Sequence, residues 1–237
     1  MLIILAWHQI LNRSHATPLK TFEKQLQFLK KEFSIIESPN IVKGNMNILL
    51  TFDDATIDFF AHVYPILQEL KLPATIGIPT FWIQNSSDLS LNQRLSLLTS
   101  KNPFYQKECF CNWQELNLMK NSNLVHFAAH GHQHQRMDIC SDKNEILIPK
   151  IKITENLSYT TNSFIFPYGR YSKKSLPIFR HNYTHLYRIG TAVNTIKNSP
   201  LLYRIVADQI EDLSSLFTKK SLLQLICKEW FNRFRGC

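Results

Sequence analysis

The sequence predicts a single distorted (β/α) barrel, TIM-like but with about seven βα units. Two observations carry that expectation. Short apolar runs alternate with helix-spaced segments from one end of the chain to the other, the pattern of a parallel sheet wrapped by helices. The residues able to do chemistry follow directly on apolar runs, where the C-terminal ends of barrel strands gather. Size agrees: 237 residues, 44% of them hydrophobic, with no linker or internal repeat, suffice for one large core and exclude intrinsic disorder.

Taken in order, Leu2 to Ala6 reads as a buried strand. Thr17 and Pro18 then give an N-cap and a first-turn proline before Phe22, Leu26, Leu29 and Phe33 recur at helical spacing. Asn47 to Phe52 is the next strand, followed by a helix with Ile57, Phe60, Tyr64 and Leu67 on one face, kinked at Pro65 and stopped by Pro73. Ala74 to Ile78 is a third strand. Phe81 to Cys111, polar and rich in Asn and Ser, reads as an excursion over the surface. Asn112 caps a short helix through Met119, and Leu124 to Ala129, Ser163 to Phe166 and Leu186 to Val193 are further strands. From 218 to 235 the chain forms a basic amphipathic helix. Leu223, Ile226, Trp230 and Phe234 share one side, expected to pack on the barrel, with Lys219, Lys220, Lys228, Arg233 and Arg235 around it; binding to a membrane surface is the alternative.

Lys and Arg number 27 against 18 Asp and Glu, a formal charge of +9 that favours an anionic partner. Nucleic acid is not that partner, because the basic residues are spread along the chain without a helix-turn-helix, zinc-finger or RNA-recognition signature. A His-Glu-x-x-His metalloprotease pattern is missing too. Cys109, Cys111, Cys140, Cys227 and Cys237 are spaced neither as a disulfide scaffold nor as a zinc ribbon, and fit a reducing compartment. Met1 to Ala6 lacks a basic leader and is interrupted by Trp7 and His8. The expected location is therefore cytoplasmic, peripheral at the inner membrane face.

Four features carry chemistry. Asp53 and Asp54 stand just past a strand, either as active-site acids or with Asp54 capping the next helix. His130 and His134, in His130-Gly131-His132-Gln133-His134, lie four residues apart and can face one point on a helical turn; two imidazoles and a carboxylate leave coordination positions open on a transition metal. The same run also reads as a polar surface turn. His8 ends the first strand, as a functional group at the barrel mouth or as a satisfied core histidine. Phe166-Pro167-Tyr168-Gly169 is a tight turn whose N–H groups can point at a ligand.

In this order the four features resemble the polysaccharide deacetylase family, carbohydrate esterases with a NodB-homology domain. Leu50-Thr51-Phe52-Asp53-Asp54 is similar to its first motif, with Tyr64-Pro65-Ile66-Leu67 and Pro73-Ala74-Thr75 following. His130 and His134 match its two-histidine motif, and Phe166-Pro167-Tyr168-Gly169 matches its third. The family's last histidine usually lies near the end of the domain, whereas here none follows His185; Trp7-His8, then Thr17-Pro18, resembles the circularly permuted branch acting on poly-N-acetylglucosamine. Two positions depart from the pattern: Ala55 replaces a glycine, and Ile165 replaces an arginine that holds the catalytic Asp, a task that falls to Arg204.

The resemblance implies a divalent metal, Zn²⁺ first with Co²⁺ or Ni²⁺ as alternatives, held by Asp54, His130 and His134. It implies Asp53 as general base, His8 as the acid on the opposite side of the intermediate, and the Tyr168 N–H as an oxyanion donor. The implied substrate is an N-acetylated amino sugar in a polysaccharide, lipopolysaccharide or lipid-linked glycan precursor. A deformylase, an O-deacetylase and an inactive sugar-binding relative are the alternatives.

Overall fold

A computed structural model describes residues 1–13, 16–99, 106–140, 142–196 and 199–235; Cys237 lies outside the described residues. Seven parallel strands close into a ring. They are β1 (Leu2–Trp7), β3 (Asn47–Phe52), β4 (Ala74–Ile78), β5 (Val125–Ala129), β6 (Ser163–Ile165), β7 (His185–Ile189) and β8 (Leu201–Val206). The two-residue β2 (Ser34–Ile35) pairs only with the start of β3. The ring closes because β1 pairs on one side with β3, Ile4 opposite Leu49, and on the other with β8, Ile4 opposite Arg204.

Alternation along the strands sorts side chains into two layers. Ile4, Leu49, Ala128, Ile165, Tyr187 and Leu202 fill the barrel interior. Their neighbours in sequence, including Ile3, Leu5, Ile48, Leu50 and Phe127, face the surrounding helices. Steps of two along the inward register lead from Ile4 to His8, from Leu49 to Asp53, from Ala128 to His130 and from Leu202 to Arg204. The chemistry is therefore the top layer of the barrel interior.

The helices are α1 (Leu19–Glu32), α2 (Tyr64–Leu70), α3 (Leu91–Thr99), α4 (Trp113–Asn121), α5 (Asn144–Leu157), α6 (Leu176–Asn182) and α7 (Lys219–Phe234). No helix among the described residues is long and apolar enough to cross a membrane.

Several sequence expectations are corrected. Thr17 does not cap α1; its hydroxyl donates to the Asp208 carbonyl at 2.8 Å. The helix expected through Ile57 and Leu67 starts as a π-helical turn, Phe59–Val63, and Pro65 falls in the first turn of α2, where its missing N–H is harmless. The surface excursion contains α3 and is pinned by buried Arg94, which donates to the Glu115 carboxylate and to the carbonyls of Glu108 and Phe110. Strand β7 ends at Ile189, not Val193. The following segment is bonded elsewhere: Asn194 bridges to Leu2, and its carboxamide pairs with both backbone groups of Tyr203. Strand β8 had no expectation.

The last helix turns a different face inward. Leu225 and Glu229 are its buried residues, Ile226 is partly buried, and Leu223, Trp230 and Phe234 project into solvent. Glu229 sets this rotation, since its carboxylate accepts from the Thr195 N–H and hydroxyl and from Arg233.

Asn112 does cap α4, as a full capping box: its side chain accepts from the Glu115 N–H, and the Glu115 carboxylate accepts from the Asn112 N–H. Asn112→Ala is expected to lower stability by about 1 kcal/mol, read as a reduced urea midpoint at unchanged slope.

Candidate active site

Three nitrogen and oxygen atoms converge above the barrel interior. His130 Nε2 lies 3.4 Å from Asp54 Oδ1, His134 Nε2 lies 3.1 Å from the same oxygen, and the two imidazole nitrogens are 3.2 Å apart. Ligands about 2.0–2.1 Å from a tetrahedral ion stand about 3.3 Å from one another, so the spacing fits one metal. The Nδ1–H of His130 donates to the Ile165 carbonyl at 2.9 Å, which fixes the tautomer and leaves Nε2 with its lone pair toward the site. The donor set of two imidazoles and a carboxylate suits a divalent transition metal.

The chain has to bend sharply to make this cluster. Asp54 and Ala55 both adopt left-handed backbone, with φ of 71° and 51°. That explains why a glycine would be at ease in the second position. Ala55 is nevertheless held there, its carbonyl accepting from the Cys111 N–H at 2.8 Å. The two histidines do not sit on a helical turn as the spacing suggested. Gly131 at φ 74° and His134 at φ 64° fold the run into an irregular loop instead.

That loop is wrapped around Glu145, a residue the sequence reading missed. Glu145 is 1% exposed, and its carboxylate accepts from the N–H groups of His132 and Gln133 at 2.9 Å. Gly131 allows this approach, since a Cβ there would lie 2.8 Å from Glu145 Oε2. Gly77 on β4 makes similar room for His130, whose Cβ and Cγ would be 3.2 Å from any added Cβ. Nothing in the hydrophobic pattern could have linked Glu145 to the histidines, because the link is to backbone.

Asp53 is not part of the Asp54–His130–His134 cluster. Arg204, fully buried, grips both its oxygens, Nη2 to Oδ2 at 2.8 Å with Nη1 on Oδ1. Burial alone would raise the Asp53 pKa, but the charge and hydrogen bonds of Arg204 outweigh it and hold the carboxyl below its ordinary value. His8 Nε2 stands 3.6 Å from Asp53 Oδ2.

The other ring nitrogen, Nδ1, meets Asp208 Oδ2 at 2.6 Å, while the His8 N–H donates to Oδ1 at 2.9 Å. Burial lowers the His8 pKa, yet the Asp208 hydrogen bond and the Asp53 and Asp54 charges prevail and bring it to about 9. Asp208 lies two residues beyond β8, a strand-end position that would have marked it had β8 been recognised.

Tyr168 sits at the left-handed corner of the Pro167–Gly169 turn, φ 58°, with its ring centroid 4.9 Å from that of His134. A cleft above Asp54 and His134 is lined by Tyr168, Trp82, Phe110, Gln133 and Gln135, with Trp82 and Phe110 stacked. The structure thus brings together His8, Asp53, Asp54, His130, His134 and Arg204, with Tyr168 at the rim.

A family profile described as polysaccharide deacetylase matches residues 42–184. Two sequences named poly-beta-1,6-N-acetyl-D-glucosamine N-deacetylase, from Escherichia coli O157:H7 and from Escherichia coli K12, are each 26% identical to this chain over 152 residues. The match covers 52% of this chain and 22% of each relative, so the chain corresponds to less than a quarter of their length. Among solved structures, a de-N-acetylase from Aggregatibacter actinomycetemcomitans aligns with a TM-score of 0.73 at 16% identity, covering 91% of this chain and 98% of the other. IcaB from Ammonifex degensii aligns at 0.72 with 18% identity, covering 97% and 96%.

Glu145→Gln keeps the side-chain volume but replaces one acceptor oxygen with a donor that faces backbone N–H groups. It is expected to weaken Zn²⁺ affinity about 10- to 100-fold while the fold is retained, measured by competition with a chromophoric chelator alongside circular dichroism.

Proposed function

The chain belongs to the polysaccharide deacetylase family, and we propose that it is a metal-dependent hydrolase that removes the N-acetyl group from an amino sugar in a glycan, releasing acetate. The observation that carries this reading is the division of labour between adjacent acids. Asp54 joins His130 and His134, whereas Asp53 is kept ionised by Arg204 and stays outside the ligand cluster.

Asp54, His130 and His134 would hold the metal, Zn²⁺ first with Co²⁺ or Ni²⁺ as alternatives. When bound, such an ion supplies Lewis acidity that activates water near neutral pH and polarises the acetyl carbonyl. Asp53 takes a proton from the water as its oxygen bonds to the acetyl carbon. Arg204 occupies only part of the acceptor capacity of that carboxylate, so lone pairs remain for the task. The N–H of Tyr168, on the left-handed corner of its turn, is assigned to the oxyanion.

His8, cationic below about pH 9, gives its proton to the nitrogen as the C–N bond breaks. The products are acetate and a free amine. Asp208 holds the His8 ring in place and stabilises its protonated form. The aromatic lining by Trp82, Phe110 and Tyr168 suits the C–H face of a sugar ring. The names of the Escherichia coli relatives point to poly-N-acetylglucosamine as the substrate class.

Acetate release from N-acetylglucosamine oligomers by zinc-loaded protein tests the reading. Formate release from N-formyl analogues, or turnover of O-acetyl esters alone, would replace it. Asp53→Asn is expected to keep stoichiometric metal and lose about 10²- to 10⁴-fold in kcat. Asp208→Asn is expected to lower kcat and to move the alkaline limb of the kcat–pH profile to lower pH, because the interactions that raise the His8 pKa are weakened. An unmoved limb would remove His8 from the acid role.

A further inference from the structure

Helix α7 carries two apolar faces, only one of which the barrel uses. Its orientation is locked: Leu225 and Glu229 are buried, Glu229 is bonded to Thr195, and Asn232 donates to the Gly190 carbonyl at 3.0 Å. The helix therefore cannot roll to hide its other stripe, Leu223, Cys227, Trp230 and Phe234, spaced i, i+4, i+7 and i+11. Leu223 is 63% exposed, Trp230 74% and Phe234 91%. Phe231 flanks the stripe, and Ile196 from the β7–β8 connection lies across the groove beside Trp230 and Phe234.

Charge decides what can cover this face. Lys219, Lys220, Lys228 and Arg235 are all exposed around the stripe, while the helix's single acid, Glu229, is buried and paired with Arg233. A second copy of the chain would bring like charges together. An anionic bilayer suits both features, with acyl chains for the aromatics and lipid phosphates for the lysine ammonium groups.

We propose that the exposed face of α7 is an interfacial membrane-binding surface selective for anionic phospholipid. The final turn of the helix lies against Gly190, just past β7, and Lys173, in the segment after β6, donates to the Arg235 carbonyl at 2.8 Å. Both segments lie at the strand ends where the candidate active site sits. The surface is independent of the hydrolytic reading, and its test does not use turnover.

The zinc-loaded full chain is mixed with vesicles of phosphatidylcholine alone or with added phosphatidylglycerol, and binding is read by co-sedimentation. Binding is expected only with phosphatidylglycerol and should weaken as NaCl rises. Trp230 emission should shift to the blue on those vesicles. The double variant Trp230→Ser/Phe234→Ser, and separately Lys220→Glu/Lys228→Glu, should each bind at least about tenfold more weakly, with circular dichroism and thermal unfolding unchanged because the substituted side chains are exposed.

Failure of the wild type to bind phosphatidylglycerol vesicles at low salt overturns the proposal, as does equal binding by either variant. A dimer found by light scattering without lipid, and abolished by Trp230→Ser/Phe234→Ser, would assign the face to a second copy instead. Oligonucleotide binding in the absence of vesicle binding would likewise overturn it.

Discussion

The barrel interior is apolar until its last layer, where Arg204 and Asp53 meet as a fully buried, two-point ion pair. Neither charge could stand there alone. Removing one partner from such a pair typically costs about 3–5 kcal/mol, because the other is left desolvated and unpaired. The pair joins β8 to the end of β3, strands separated in the ring by β1. It also keeps Asp53 ionised while Asp54, the very next residue, is committed to two imidazoles. Two neighbouring carboxylates thus have different chemistry because their surroundings differ.

The same construction recurs around the site. Each reactive side chain is positioned by a group from a different part of the ring: His8 by Asp208 beyond β8, His130 by the Ile165 carbonyl on β6, and the histidine loop by Glu145 at the start of α5. These supports are buried and make short hydrogen bonds, which limits the freedom of the groups that face the cleft. The strained backbone at Asp54, Ala55 and His134 is tolerated under the same restraint.

How much of this was legible follows from the physics of each feature. Strands β1, β3, β4, β5 and β6 were visible because they are short, mostly apolar runs. Strand β8 was not read, although β7 was read through Arg188; the charge of Arg204 is compensated by a residue about 150 positions away. The residues that converge at the candidate site could be picked out because they follow strands at positions fixed by alternation. Glu145 could not, since it recognises N–H groups that every residue but proline carries. The rotation of α7 was misjudged because its most apolar stripe is the one left outside, while the buried stripe includes Glu229. Amphipathicity gives the number of faces a helix has; the partner decides which is covered.

The pairing of β1 with both β3 and β8 has a consequence for how the site comes into being. The residues assigned to metal lie within one stretch of chain, from 54 to 134, just beyond the ends of β3 and β5. The charged groups beside that cluster come from further apart: His8 just past β1, Asp53 just past β3, and Arg204 and Asp208 on and beyond β8, with a sequence separation of 200 for the His8–Asp208 contact. Loop-closure entropy grows with separation, so the His8–Asp208 and Arg204–Asp53 contacts carry a larger closure cost than those among Asp54, His130 and His134. Closure of the ring through β1 is what sets His8 beside Asp53 and Asp208.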